Sequence, residues 1–293
     1  MRIFVTGATG WVGRVVVDDL LAAGHVVLGL SRSQETAAKL VAKGAEVLRA
    51  TLDDRGQLAA AARSADAVLH LAFNHDFSNM AHNSEQERGA IEAMGEALLA
   101  TNKPLLITSG LATLAPGRVA TEDDMPAAAP HPNFPRKNTV AAAALAERGV
   151  RVSVVRLATT VHGLGDPGFM ARLAKLARET GVSAYLGDGA NRWPAVHVSD
   201  AGRLYRAVLE AEVTPRAVHA TAEDVPFRAI AEAIGRAVGV PSEPRPAEHF
   251  GWFAQFAGAD SPASSAKTRE LTGWTPEGPT LLQELARPGY FVE

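Results

Sequence analysis

"IFVTGATGWVG", residues 3–13, decides the fold of this chain. An apolar run ends at Thr6, and glycines follow at 7, 10 and 13. Trp11 and Val12 then open a second, longer apolar pattern. The change of period predicts a strand over 2–6, a tight loop, and a helix over 12–23.

Such a loop suits a diphosphate. Backbone N–H groups must come within hydrogen-bonding distance of the phosphates, so a side chain at Gly7 or Gly10 would block the approach. Gly13 lets the helix lie close against the strand, and the helix start offers free N–H groups and the positive end of its dipole.

Outward from the loop, short β-branched or leucine-rich runs alternate with alanine-rich amphipathic ones. Strands are predicted at 2–6, 26–30, 46–48, 67–71, 105–108 and 151–156. Helices are predicted at 12–23, 34–42, 57–62, 85–100 and 140–147. Several of the strand runs are continuously apolar, as strands buried on both faces are. The fold class expected is α/β, a doubly wound parallel-sheet Rossmann fold with a smaller mixed C-terminal lobe. The boundary falls near residue 160. Residues 1–160 form the binding domain, and 161–293 form mainly the lobe, with some segments returning to the sheet. Beyond 157 the pattern predicts loops at 163–168 and 187–194, helices at 169–179, 199–211 and 227–238, and a Pro/Gly/Ala-rich stretch at 241–263.

Bulk composition narrows the partners. The 293 residues are 47% hydrophobic and 21% charged, with a formal charge of -3. That charge supplies no basic field for nucleic acid. No stretch approaches the ~18 apolar residues of a membrane helix, and residues 3–5 are too short an apolar core for a secretion signal. The absence of cysteine excludes disulfides and thiolate metal sites, and it fits a cytoplasmic location. Nine histidines lack metal-ligand spacing, so no metal is expected. The expected partner is a small-molecule substrate, and a homodimer is compatible with the sequence.

"TGATGWVG" resembles the cofactor signature of the extended short-chain dehydrogenase/reductase superfamily, which includes nucleotide-sugar epimerases and dehydratases. The likeness continues in order through "AVLHLAF", "LLITSG", "VVRLATTVHG", "WPAVHVSDAGRLYRAVL" and "TRELTGWTP". It implies a nicotinamide cofactor held by Gly7, Thr9, Gly10, Trp11, Val12, Gly13, Leu71, Ala72, Thr108 and Thr159. The end of the second strand reads Leu30-Ser31-Arg32-Ser33 in place of a carboxylate that would bind a ribose 2′-hydroxyl. The hydroxyl of Ser31 and the guanidinium of Arg32 suit a 2′-phosphate, so NADP(H) is expected. Thr51 stands where the family usually has Asp.

The family's acid–base pair, Tyr-x-x-x-Lys, is incomplete. Lys137 lies 28 residues after Ser109, about where the family's lysine falls, but four residues before it stands Asn133. None of the three tyrosines has the required spacing. Lys137 is expected either to hold the ribose or to be a surface lysine at a helix start. Asn133 can orient a carbonyl or water but delivers no proton. Ser109 can polarise a substrate or cap its strand. His131 and His162 are the nearby side chains that titrate near neutral pH. Phe73, Asn74 and His75 are expected pocket walls, and Trp193 either lines the pocket or packs the lobe interface. The reading is an NADP(H)-dependent oxidoreductase acting on a small carbonyl, imine or enone. A nucleotide-sugar epimerase or dehydratase and a non-catalytic NADP sensor stand as alternatives.

Overall fold

The computed structural model describes residues 1–76, 79–112, 114–125 and 137–291. Its strands in chain order are β1 (Arg2–Thr6), β2 (Val26–Ser31), β3 (Glu46–Arg49), β4 (Ala67–His70), β5 (Pro104–Gly110) and β6 (Arg151–Leu157). There follow β7 (Thr160–His162), β8 (Ser183–Tyr185), β9 (Arg192–His197), β10 (Ala217–Ala220), β11 (Glu223–Pro226) and β12 (Ser242–Pro244). The main helices are α1 (Trp11–Ala22), α2 (Gln34–Ala42), α3 (Arg55–Ser64), α4 (Met80–Ala97), α5 (Asn138–Glu147), α6 (Phe169–Thr180), α7 (Val198–Glu210) and α8 (Phe227–Val238).

Seven parallel strands form the large sheet in the order β10-β6-β5-β4-β1-β2-β3. Alternate residues feed two cores on opposite faces. Ile3, Val5, Leu69, Leu106 and Val155 join α1 and α7 on one side. Phe4, Val68, Leu105, Ile107 and Val154 join α3, α4 and α5 on the other. Both faces being buried explains why these strands are continuously apolar. The fold is the doubly wound Rossmann architecture, and its strand order reverses between β1 and β4. That reversal opens a crevice at the strands' carboxyl ends.

Two further sheets were not expected. β11-β9-β7 form a three-stranded sheet, where 187–194 reads as a loop, and β12 pairs β8. Pro194 removes a ladder donor from the middle of β9, which conceals that strand in the sequence. The Pro/Gly/Ala-rich stretch holds a 3-10 helix, Ala247–Phe253, kinked where Gly251 takes φ 54°. It packs with α6 and α8 around an aromatic core of Trp193, Phe227, Phe253 and Phe256. No helix among the described residues is long and apolar enough to cross a membrane.

Candidate active site

The glycine loop is shaped by the chain's own backbone. Gly7 has φ 67°, and a Cβ there would stand 2.7 Å from the amide nitrogen of Ala72. A Cβ on Gly13 would collide with the carbonyl oxygen of Gly7. Bareness at Gly7 is therefore demanded by the exit of β4 before any ligand arrives, a reason beyond the one its spacing suggests. Thr6 Oγ1 fixes the same junction. It accepts from the Ala72 amide at 3.2 Å and shares a 2.8 Å hydrogen bond with His70 Nδ1.

Gly10 caps α1 in an extended conformation, with no side-chain cap and no acid in the first turn. The first N–H groups of α1 are thus left without a side-chain acceptor at the positive helix end, as an anion site requires. Trp11 ties this end to the opposite wall: its indole Nε1 donates to the Val161 carbonyl at 2.7 Å. The Arg14 guanidinium lies 4.2 Å over the same ring.

A cavity of about 640 Å³ runs over the carboxyl ends of the strands. Gly7, Gly10, Trp11, Val12 and Gly13 line it on the loop side, and Leu71, Thr108, Ser109 and Thr159 continue the wall. Ser109 is half-buried at the end of β5. The hydroxyls of Thr159 and Thr160 are buried without a hydrogen-bond partner, and both residues border the cavity. Thr108 shares a 2.7 Å hydrogen bond with the Tyr205 hydroxyl, and its carbonyl accepts from Asn138 Nδ2. Phe73 and His75 line the cavity with their rings 5.1 Å apart, edge to face.

Other expected residues lie elsewhere. Thr9, Ala72 and Asn74 are not on the cavity wall; Thr9 is exposed, and Asn74 Oδ1 accepts from the Asp76 amide. Ser31 is buried with its hydroxyl donating to the Ser33 carbonyl and bonded to Thr36, whereas Arg32 is exposed. Lys137 forms an ion pair with Glu85 of α4 and is not on the wall. That lysine, with Arg88, holds the Glu85 carboxyl below its ordinary range. Asn133 and His131 lie outside the described residues.

Two expectations are corrected. His162 is buried off the wall, its ring edge against His197. Burial, with His197 beside it, pushes its pKa down to about 3, so it carries no proton to give near neutrality. Trp193 is fully buried among Phe169, Phe227 and Phe253, and its indole N–H donates to the Phe256 carbonyl. It is core because the kinked 3-10 helix folds over it.

The far wall brings in residues that the sequence reading missed: Asp166, Phe169, Arg172 and Trp252. Arg172 stacks 4.4 Å over Trp252. Asp166 is buried, which pushes its carboxyl up to about 6 against the pull of hydrogen bonds from Gly168 and Tyr290.

Comparison with known proteins agrees with this fold. The model of the NAD dependent epimerase/dehydratase family matches residues 3–220. An uncharacterized protein of Schizosaccharomyces pombe is 43% identical over 298 residues, covering 99% of this chain and 100% of its own. The 2-alkyl-3-oxoalkanoate reductase of Stenotrophomonas maltophilia is 26% identical over 261 residues, 82% of this chain and 77% of the reductase. The crystal structure of DesIV, a dTDP-glucose 4,6-dehydratase from Streptomyces venezuelae with NAD and TYD bound, has the same fold. Its TM-score is 0.77 at 18% identity, covering 98% of this chain and 95% of that one.

Proposed function

This chain belongs to the NAD dependent epimerase/dehydratase family, and from that premise we propose that it is an NADP(H)-dependent oxidoreductase acting on a small organic carbonyl, imine or enone. One observation carries the reading. A single cavity of about 640 Å³ joins the glycine loop to a wall containing Phe73, Phe169 and Trp252. That volume is within the range of small-molecule sites, which are mostly apolar with a few placed polar groups.

The residues present fit a nicotinamide dinucleotide. The uncapped start of α1 suits its diphosphate, and the unpartnered hydroxyls of Thr159 and Thr160 suit a carboxamide. When bound in reduced form, the cofactor supplies a hydride. Ser109, at the end of β5, is positioned on the wall to polarise the bond that receives it. Arg32 is exposed beyond β2, with no carboxylate partner among the described residues, which favours a 2′-phosphate. Ser31 is occupied internally, so the preference for NADP(H) rests on Arg32.

The epimerase and dehydratase alternative is less well supported. In the family pattern a tyrosine does the acid–base work of reversible alcohol oxidation, and none of Tyr185, Tyr205 and Tyr290 lines the cavity. A pure sensor would have no use for the aromatic wall.

Steady-state NADPH oxidation against a panel of ketones, aldehydes, imines and enones tests the reading. Turnover of at least one class is expected. Tight NADPH binding with no turnover of any compound would convert the reading to a sensor.

A further inference from the structure

Asp166 is the one acidic side chain among the described residues that line the cavity. It lies in the loop between β7 and α6, and it is 8% exposed. The Gly168 amide donates to its Oδ1 at 2.7 Å, and the Tyr290 hydroxyl donates to its Oδ2 at 3.3 Å. Pro167 between them has no N–H, and a Cβ on Gly168 would stand 2.9 Å from Oδ1. The Asp-Pro-Gly triplet therefore leaves the carboxyl a close-fitting seat.

We propose that Asp166 is the proton donor of this site, giving its proton to the oxygen or nitrogen of the C=O or C=N bond that is reduced. The proposal rests on the oxidoreductase reading above. The substrate carbon accepts a hydride, with its electron pair, from a reduced nicotinamide dinucleotide. The π pair of the bond moves to the heteroatom, which takes the proton of Asp166. The products are an alcohol or amine, an oxidised dinucleotide and an Asp166 carboxylate, and solvent returns the proton.

Toward the carboxylate both chain partners act as donors. The Gly168 amide can only donate, which keeps Oδ1 an acceptor and leaves the proton of the neutral acid to Oδ2, at the cavity wall beside the Tyr290 hydroxyl, which can donate or accept. Burial favours that neutral form, placing its titration at about 6. The group facing it is the Tyr290 phenol, with Glu284 and its partner Arg287 behind, while Arg172 from α6 lines the same cavity stacked over Trp252. No cation among the described residues forms an ion pair with Asp166.

The test uses the full chain and its Asp166→Asn and Tyr290→Phe variants. In the free protein labelled with ¹³C at aspartate carboxyls, NMR should show one carboxyl titrating near pH 6 that is missing in Asp166→Asn. With NADPH and the panel compound that turns over, Asp166→Asn should lower kcat about 100-fold or more and leave KM within a few-fold. NADPH affinity by calorimetry should stay within about twofold, showing an intact cradle. Loss of one donor in Tyr290→Phe should move the descending limb of the rate profile to higher pH. A carboxyl titrating in the ordinary aspartate range overturns the proposal. So does an Asp166→Asn enzyme with unchanged kcat and pH profile. Failure of the unmutated protein to turn over any compound removes the oxidoreductase reading itself, and the proposal falls with it.

Discussion

The indole N–H of Trp11 donates to the main-chain carbonyl of Val161 across 2.7 Å. The bond ties the first residue of α1 to β7, the strand that follows β6 and enters the second sheet. This neutral hydrogen bond thus joins the cradle to the opposite side of the cavity. Trp11→Phe keeps the ring and loses that donor, leaving the carbonyl without this partner. A partly buried hydrogen bond of this kind contributes about 1 kcal/mol. The expected result is about a fivefold weaker NADPH affinity by calorimetry, with the fold retained by circular dichroism.

Arg32 is the second test. Its guanidinium is exposed just beyond β2, beside a Ser31 whose hydroxyl is already bonded. A charge-assisted hydrogen bond to phosphate is worth about 1.5–3 kcal/mol. Arg32→Ala should therefore weaken NADPH binding by roughly ten- to a hundredfold and leave NADH binding nearly unchanged. Equal affinities for both cofactors in the unmutated protein would remove the basis for this preference.

Lys137 is held by Glu85, off the cavity wall. Both side chains are about two-fifths exposed, at 41% and 43%, and pairs so exposed contribute little to stability. Lys137→Ala should leave both Tm and NADPH affinity close to their original values. A large drop in affinity would show instead that the lysine abandons Glu85 when the cofactor arrives.

The fourth prediction concerns pH. The folded-state pKa of Asp166 is raised from 3.8 to about 6. The folded protein therefore holds this proton more tightly than the unfolded chain does. The associated stability is fully present below the unfolded value and is lost as pH rises through about 6, an effect of about 3 kcal/mol in order of magnitude. The buried His162 and His219, lowered to about 3 and about 4, act the other way and cost stability as pH falls. The difference between unmutated protein and Asp166→Asn at each pH isolates the carboxyl. In urea titrations, Asp166→Asn should gain on the unmutated protein between pH 4 and about 7. Parallel curves over that window would place the carboxyl at its ordinary pKa.

The large sheet is legible in the sequence because its strands are buried on both faces, so Ile3-Phe4-Val5 of β1, Ala67-Val68-Leu69 of β4 and Leu105-Leu106-Ile107 of β5 run apolar without a break. The glycine loop is legible because three small residues at fixed spacing have few other uses between a strand and a helix. β9 is concealed by Pro194, and the core role of Trp193 depends on a distant 3-10 helix that seals it. Asp166 is concealed for a similar reason. Locally, Asp-Pro-Gly spells a turn, and nothing nearby announces that Tyr290, 124 residues further on, will close over the carboxyl. Residues 131–136, where the family's tyrosine would be sought, lie outside the described residues.

The four tryptophans of the chain are divided between cavity and core. Trp193 and Trp274 are buried, whereas Trp11 stands beside the glycine loop and Trp252 beside Arg172, both on the cavity wall. The molecule thus carries its own optical reporters. Reduced nicotinamide absorbs in the region where tryptophan emits, so filling the cavity should quench Trp11 and Trp252 by energy transfer. Single Trp→Phe replacements at these two positions would tell which portion of the cavity a ligand enters first, with no label and no knowledge of the substrate.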